Sequence, residues 1–147
     1  RRYGYDGQTD GAYRHGSGTL RLQSGAVYTG QWAFSEMSGD GEWRYPGNRG
    51  WYSGQWKEGK MHGQGTLSVH TGTRYEGNWC EGLFHEHGDL CFADGSAYSG
   101  EWRRGREHGT GTLTLADGKV YEGAWAKGEA HGKGTLSYPE DRKRYVG

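Results

Sequence analysis

Tyr75-Glu76-Gly77-Asn78-Trp79, followed by Gly82, His87-Gly88 and Asp94-Gly95, is the stretch from which the fold can be read. Its Tyr, Gly and Trp stand at i, i+2 and i+4, so all three share one face of a β-strand. The residues between them, Glu76 and Asn78, are polar and face the other way. The same Tyr-x-Gly-x-Trp pattern recurs at Tyr28-Gly30-Trp32, Tyr52-Gly54-Trp56, Tyr98-Gly100-Trp102 and Tyr121-Gly123-Trp125. Successive tyrosines lie 24, 23, 23 and 23 residues apart. A degenerate copy, Tyr5-Asp6-Gly7-Gln8-Thr9, precedes Tyr28 by 23 residues, and a truncated seventh opens at Tyr145-Val146-Gly147. A fixed period of this size marks a repeat architecture.

A second block follows each motif. It reads His15-Gly16-Ser17-Gly18-Thr19-Leu20 in the first unit, and His62, His108 and His131 open matching blocks. Ser38-Gly39-Asp40-Gly41-Glu42-Trp43 and His87-Gly88-Asp89-Leu90-Cys91-Phe92 read as variants, with Ser38 for His and Leu90 for Gly. Alternation puts Gly18-Leu20-Leu22, Gly65-Leu67-Val69 and Gly111-Leu113-Leu115 on one face of a second strand. Each unit therefore reads as a β-hairpin with one aromatic-aliphatic face and one wet face. Gly in mid-strand predicts bare backbone across which the rings of neighbouring hairpins lie. Asp94-Gly95 and Asp117-Gly118 predict two-residue turns between hairpins, and the link within a hairpin, as at residues 57–63, reads as longer. One hairpin is marginal alone, so the units must join. The expected fold is all-β: residues 1–147 as one elongated array of about six antiparallel hairpins, a twisted single-sheet rod or groove. At about 4.8 Å per strand it would span about 55–60 Å.

Composition excludes the alternatives. Of 147 residues 30 are glycine, 31% are hydrophobic and 14% aromatic, and mean hydropathy is −1.07. Disordered chains lack that aromatic content. Collagen requires Gly at every third position, and no apolar run is long enough for a transmembrane helix. Eighteen basic residues against 18 acidic leave no net charge, which lacks the footprint of a nucleic-acid binder. Two cysteines make no disulfide framework and point to a reducing interior. With no initiator Met and an abrupt end, the chain reads as a piece of a longer array.

The repeated unit resembles the MORN repeat (membrane occupation and recognition nexus), and the resemblance extends over nearly the whole chain. It implies a structural scaffold of cytoskeletal or ciliary assemblies, in the cytoplasm, self-associating as a homodimer or longer oligomer. The alternatives it implies are a phosphoinositide or membrane-binding module, and an appendage that positions a catalytic domain.

The rings Tyr28, Trp32, Tyr52, Trp56, Tyr75, Trp79, Tyr98, Trp102, Tyr121 and Trp125 are expected to form the core. Phe34, Trp51 and Phe84 fall outside the pattern and are candidate partner contacts. Arg103, Arg104 and Arg106, with Arg142, Lys143 and Arg144, are candidate lipid-headgroup contacts, although short of a polybasic site. His15, His62, His87, His108 and His131 recur once per unit, which points to turn formation and not to catalysis. Cys80, His85, His87 and Cys91 form the sharpest cluster outside the repeat. Strand parity puts both thiols on the outer face, allowing a disulfide or zinc, with ordinary reduced thiols and no cofactor as the default. Glu76, Glu101 and Glu122 read as solvated carboxylates. No nucleophile elbow or phosphate-cradling loop is present, so a non-catalytic chain is expected.

Overall fold

A computed structural model describes residues 3–139 and 144–146. The strands are β1 (Gly4–Asp10), β2 (Tyr13–Arg21), β3 (Val27–Ala33), β4 (Glu36–Arg44), β5 (Gly50–Lys57), β6 (Lys60–Val69) and β7 (Arg74–Cys80). They continue as β8 (Leu83–Cys91), β9 (Ala97–Arg103), β10 (Arg106–Thr114), β11 (Val120–Ala126), β12 (Glu129–Ser137) and β13 (Arg144–Val146). All thirteen lie in one open sheet, in sequence order, each antiparallel to the next. Among the described residues one 3-10 turn, Pro46–Asn48, interrupts the pattern between β4 and β5.

Register turns the repeat into rows across the sheet. Tyr28 stands opposite Leu20 on one side and Trp43 on the other, and Gly30 opposite Gly18 and Gly41. The same pairs recur at Tyr52, Tyr75, Tyr98 and Tyr121. The tyrosine row is thus followed by a glycine row, and the glycines are spacers. A Cβ on Gly41 would collide with the Tyr28 hydroxyl, and one on Gly30 would collide with the Gly41 backbone. The ring that fills the space belongs to the same hairpin, not to the neighbouring one as the sequence suggested. Each Tyr folds back along its own strand, and its hydroxyl donates to the carbonyl three residues on, as Tyr28 does to Gln31 at 2.8 Å.

Tryptophans join the units. Trp32, Trp56, Trp79, Trp102 and Trp125 each donate from Nε1 to a glycine carbonyl of the preceding unit at 3.0–3.1 Å. Tyr28, Tyr52, Tyr75 and Tyr98 therefore each meet two indoles edge-on, their own at 5.0–5.2 Å between centroids and the next unit's at 5.1–5.7 Å. Such pairs contribute about 0.5–1.5 kcal/mol beyond area burial. Tyr28, Tyr52, Tyr75 and Tyr98 are fully buried, and the core is this single layer of rings on one face of the sheet. Tyr121 is only half-buried, since no following tryptophan among the described residues packs on it.

The two kinds of link are exchanged relative to the expectation. Within a hairpin the turn has two residues, as in Glu58-Gly59 with φ of 50° and 79°, the positive pair of a type I′ turn. Between hairpins four or five residues intervene, where Asp94 Oδ1 accepts from the Ser96 N–H at 2.8 Å. The extra residues read as a long link within the hairpin form a bulge instead. Gly54 pairs with Gly65 and Trp56 with Met61, so Gln55 alone faces residues 62–64.

Bulge register also corrects the fourth unit. Gly88 pairs with Gly77 and Gly100, which makes it the equivalent of Gly65 and not of Gly63. His85, not His87, is therefore the recurring histidine, and Leu90 is the regular leucine of its row. The true departure is Glu86, which adopts φ of 53° where other units place glycine.

Candidate interaction surface

The bulge creates a recurring polar site on the wet face. The residue between Gly and Trp of the first strand reaches into it and accepts a backbone N–H freed from the ladder. Gln8 binds Ser17 N at 2.8 Å, Gln31 binds Asp40 N at 2.7 Å and Gln55 binds Gln64 N at 2.8 Å. Glu101 takes both the N–H and the hydroxyl of Thr110, and these bonds hold its carboxyl below the usual range. Glu101 is thus a bulge-filling residue, whereas the sequence reading had made it ordinary solvated surface. Beside Glu86 the amide is shortened to Asn78, whose Nδ2 donates to the His87 carbonyl at 3.2 Å. In the last unit the position is Ala124, which has no such group.

On the ring face, the residues opposite the tryptophans form an outer row: Met37, Met61, Phe84, Glu107 and Ala130, with Arg14 opposite Thr9. Phe84 stacks on Tyr75 at 3.9 Å and touches Trp79 and Trp102 edge-on. The Arg14 guanidinium lies 4.8 Å from the Trp32 ring. This row is apolar at Met37, Met61 and Phe84, charged on either side of them at Arg14 and Glu107, and ends on Ala130. Burial pushes the Tyr28, Tyr52 and Tyr75 hydroxyls well above the usual tyrosine range. Tyr98 is pushed up to about 12, first by burial and then by Glu107 and Glu101.

Two apolar recesses open over the middle units. One, of about 300 Å³, is lined by Tyr45, Met61, Leu67, Trp79, Leu83 and Phe84 and bounded by Gly82 and Gly105. The other, of about 320 Å³, is lined by Tyr45, Pro46, Arg49, Leu67, Val69 and His70. Tyr45 and Leu67 form the wall common to both. A third recess, of about 620 Å³, lies at the hairpin tips between Arg103, Arg104, Arg106, His108 and Lys127, with Glu107 and Ala126.

The three candidate partner contacts do not make one surface. Phe34 is exposed in the β3–β4 turn against Tyr13 and His15. Trp51 is half-buried on the wet face, with the Arg74 guanidinium 5.9 Å from its ring. Of the three, Phe84 lines one of the two apolar recesses described above. The recess residues Met61, Leu67 and Leu83 were not singled out from the repeat, although Met61 and Leu67 stand in the rows opposite Trp and Tyr.

Of the basic candidates, Arg103, Arg104 and Arg106 do converge, joined by Lys127. Arg142 and Lys143 lie outside the described residues, and Arg144 pairs through its backbone with Ser137. The cysteine cluster does not assemble. Cys80 pairs with Leu83 beside the hairpin tip and Cys91 with Arg74 at the other end of the same hairpin. Six residues of strand separate those positions, about 20 Å, whereas a disulfide needs Cα atoms within about 7 Å. Both cysteines are free, and no group of three or more His, Cys, Asp or Glu is placed to hold a metal ion among the described residues. No helix among them is long and apolar enough to cross a membrane.

A repeated hairpin built on Tyr-x-Gly-x-Trp, with bulged second strands paired in sequence, defines a class of open β-sheet repeat proteins. The MORN-repeat profile matches residues 5–27, 28–48, 52–74, 75–97, 98–120 and 121–140, and the chain belongs to the MORN-repeat family. Among curated proteins no significant sequence match is found. Among solved structures it is similar to the SAS-4 (dCPAP) TCP domain of Drosophila melanogaster, in complex with a proline-rich motif of Ana2 (dSTIL). That likeness has a TM-score of 0.54 at 11% identity and covers 89% of this chain and 71% of the other, a similarity of fold.

Proposed function

We propose that this chain is a non-catalytic protein-interaction module, working without a cofactor as a self-associating scaffold in a cytoskeletal or ciliary assembly. The observation that carries the reading is the pair of adjoining apolar recesses on the ring face, walled by Tyr45 and Leu67. Aromatic and aliphatic side chains that line a shallow groove on a rigid sheet suit a peptide segment laid across them. Each of the first five units is locked to the next by an indole hydrogen bond and an edge-on ring pair, which stiffens the sheet. The SAS-4 domain, which resembles it in fold, is held with a proline-rich motif, and this supports a protein ligand over a lipid one. Co-sedimentation with vesicles at physiological salt, with and without phosphoinositides, tests the reading. The protein is expected to stay in the supernatant in both cases. Saturable sedimentation that depends on phosphoinositide would replace the protein-interaction reading with a membrane one.

A further inference from the structure

We infer that the peptide accepted by the ring face has a defined polarity: two apolar anchors followed, on the hairpin-tip side, by acidic residues. The inference rests on the protein-interaction reading and specifies its ligand. The two apolar recesses follow one another along β6, from Val69 and His70 at the linker edge to Met61 near the tips. At its tip end the second recess is bounded by Gly105. Arg104 and Arg106, the neighbours of that glycine, line the basic recess together with Arg103 and Lys127. The groove therefore runs from a single cation, Arg49, at the linker edge to the turn where four cations cluster.

Charge at that turn is concentrated, although the chain as a whole is neutral. Four cations line the basic recess against the single carboxylate Glu107, and none of the four makes an ion pair among the described residues. All four are exposed, and their position in the array is particular to one place. The turn residue at Arg104 is Glu58 in the third unit and Glu81 in the fourth, and the residue at Arg106 is Glu36 in the second unit and Glu129 in the sixth. The fold accepts either sign there, so the basic cluster is a property of this edge and not of the repeat. An apolar segment of about six extended residues spans the roughly 20 Å of groove. Asp or Glu immediately beyond it reaches unpaired guanidinium groups, which accept carboxylates in bidentate geometry. Electrostatic complementarity of this kind sets orientation and partner choice.

The test is selection of a phage-displayed random peptide library on the intact chain, with the enriched peptides resynthesised and measured by fluorescence anisotropy. The comparison variant is Arg104→Glu with Arg106→Glu, which introduces residues the repeat already carries at both positions. Enriched peptides are expected to hold two apolar residues with Asp or Glu on one side only. Their affinity should fall about tenfold or more in the double variant, and fall with added salt. Enriched peptides with no acidic bias, or bound equally by the double variant, overturn this inference while a protein ligand stands. If no peptide is enriched the inference fails, and if phosphatidylserine vesicles bind in their place the protein-interaction reading fails with it.

Discussion

The four fully buried tyrosines link the hydrogen-bonding chemistry of the core to pH. Each hydroxyl donates to a backbone carbonyl inside the ring layer, and burial raises its ionisation above the ordinary value of 10.0. In the unfolded chain these groups lose their protons near pH 10, and in the folded one later, Tyr98 at about 12. Between those limits the folded state holds more protons, so stability is complete below pH 10 and is lost as pH rises through the folded values. Urea melts recorded at rising pH should show a falling midpoint above pH 10, with buried phenolate absorbance appearing only as the chain unfolds. Phenolate that titrates fully near pH 10 in the folded chain would contradict the burial.

At the scale of the hairpin, the unit is a bargain between bulge and plug. Where the bulge turns on glycine, a glutamine or glutamate fills the space above it, and a Cβ on Gly39 or Gly63 would collide with the plugging side chain. The fourth unit carries Glu86 at the glycine position and the shorter Asn78 as its plug. Asn78→Gln should therefore destabilise the protein alone, yet be tolerated alongside Glu86→Gly. A double-mutant cycle in urea should yield a coupling of about 0.5–3 kcal/mol, and additivity would refute the pairing. Ala124 leaves the sixth bulge without a plug. Ala124→Gln should accept the Lys133 N–H and stabilise by about 0.5–1.5 kcal/mol, measured in the same way. Neither relationship was legible in the sequence. The bulge shifts register by two residues, and strict alternation cannot reveal which histidine and which glycine are equivalent in the fourth unit.

Over the whole molecule, the sheet is open and its apolar face is covered by no second layer among the described residues. Open strand edges and a half-exposed ring face favour association, and light scattering is expected to report a dimer or larger species. A clean monomer at high concentration would remove self-association from the scaffold reading. Tertiary placement divided the candidate surface differently from the sequence. Phe34 and Trp51 were singled out as irregular aromatics, but they lie at a hairpin tip and on the wet face. The groove is built instead from residues the repeat made ordinary, Met61, Leu67 and Leu83, with Tyr45 and Pro46 of the one irregular link.

By itself the sequence determined the repeat, its period, the strand faces, the single layer of Tyr and Trp and the spacing role of glycine. These follow from local rules: side chains alternate along a strand, and a motif repeated every 23 or 24 residues must build the same unit each time. Only the tertiary structure decided the register at the bulges, the separation of Cys80 from Cys91, and the place of Gly105, between Arg104 and Arg106, at the rim of the apolar groove. Those depend on which residues face each other across strands. That pairing is set by turns and bulges, where a two-residue offset moves a side chain to a new partner without disturbing the pattern along the chain.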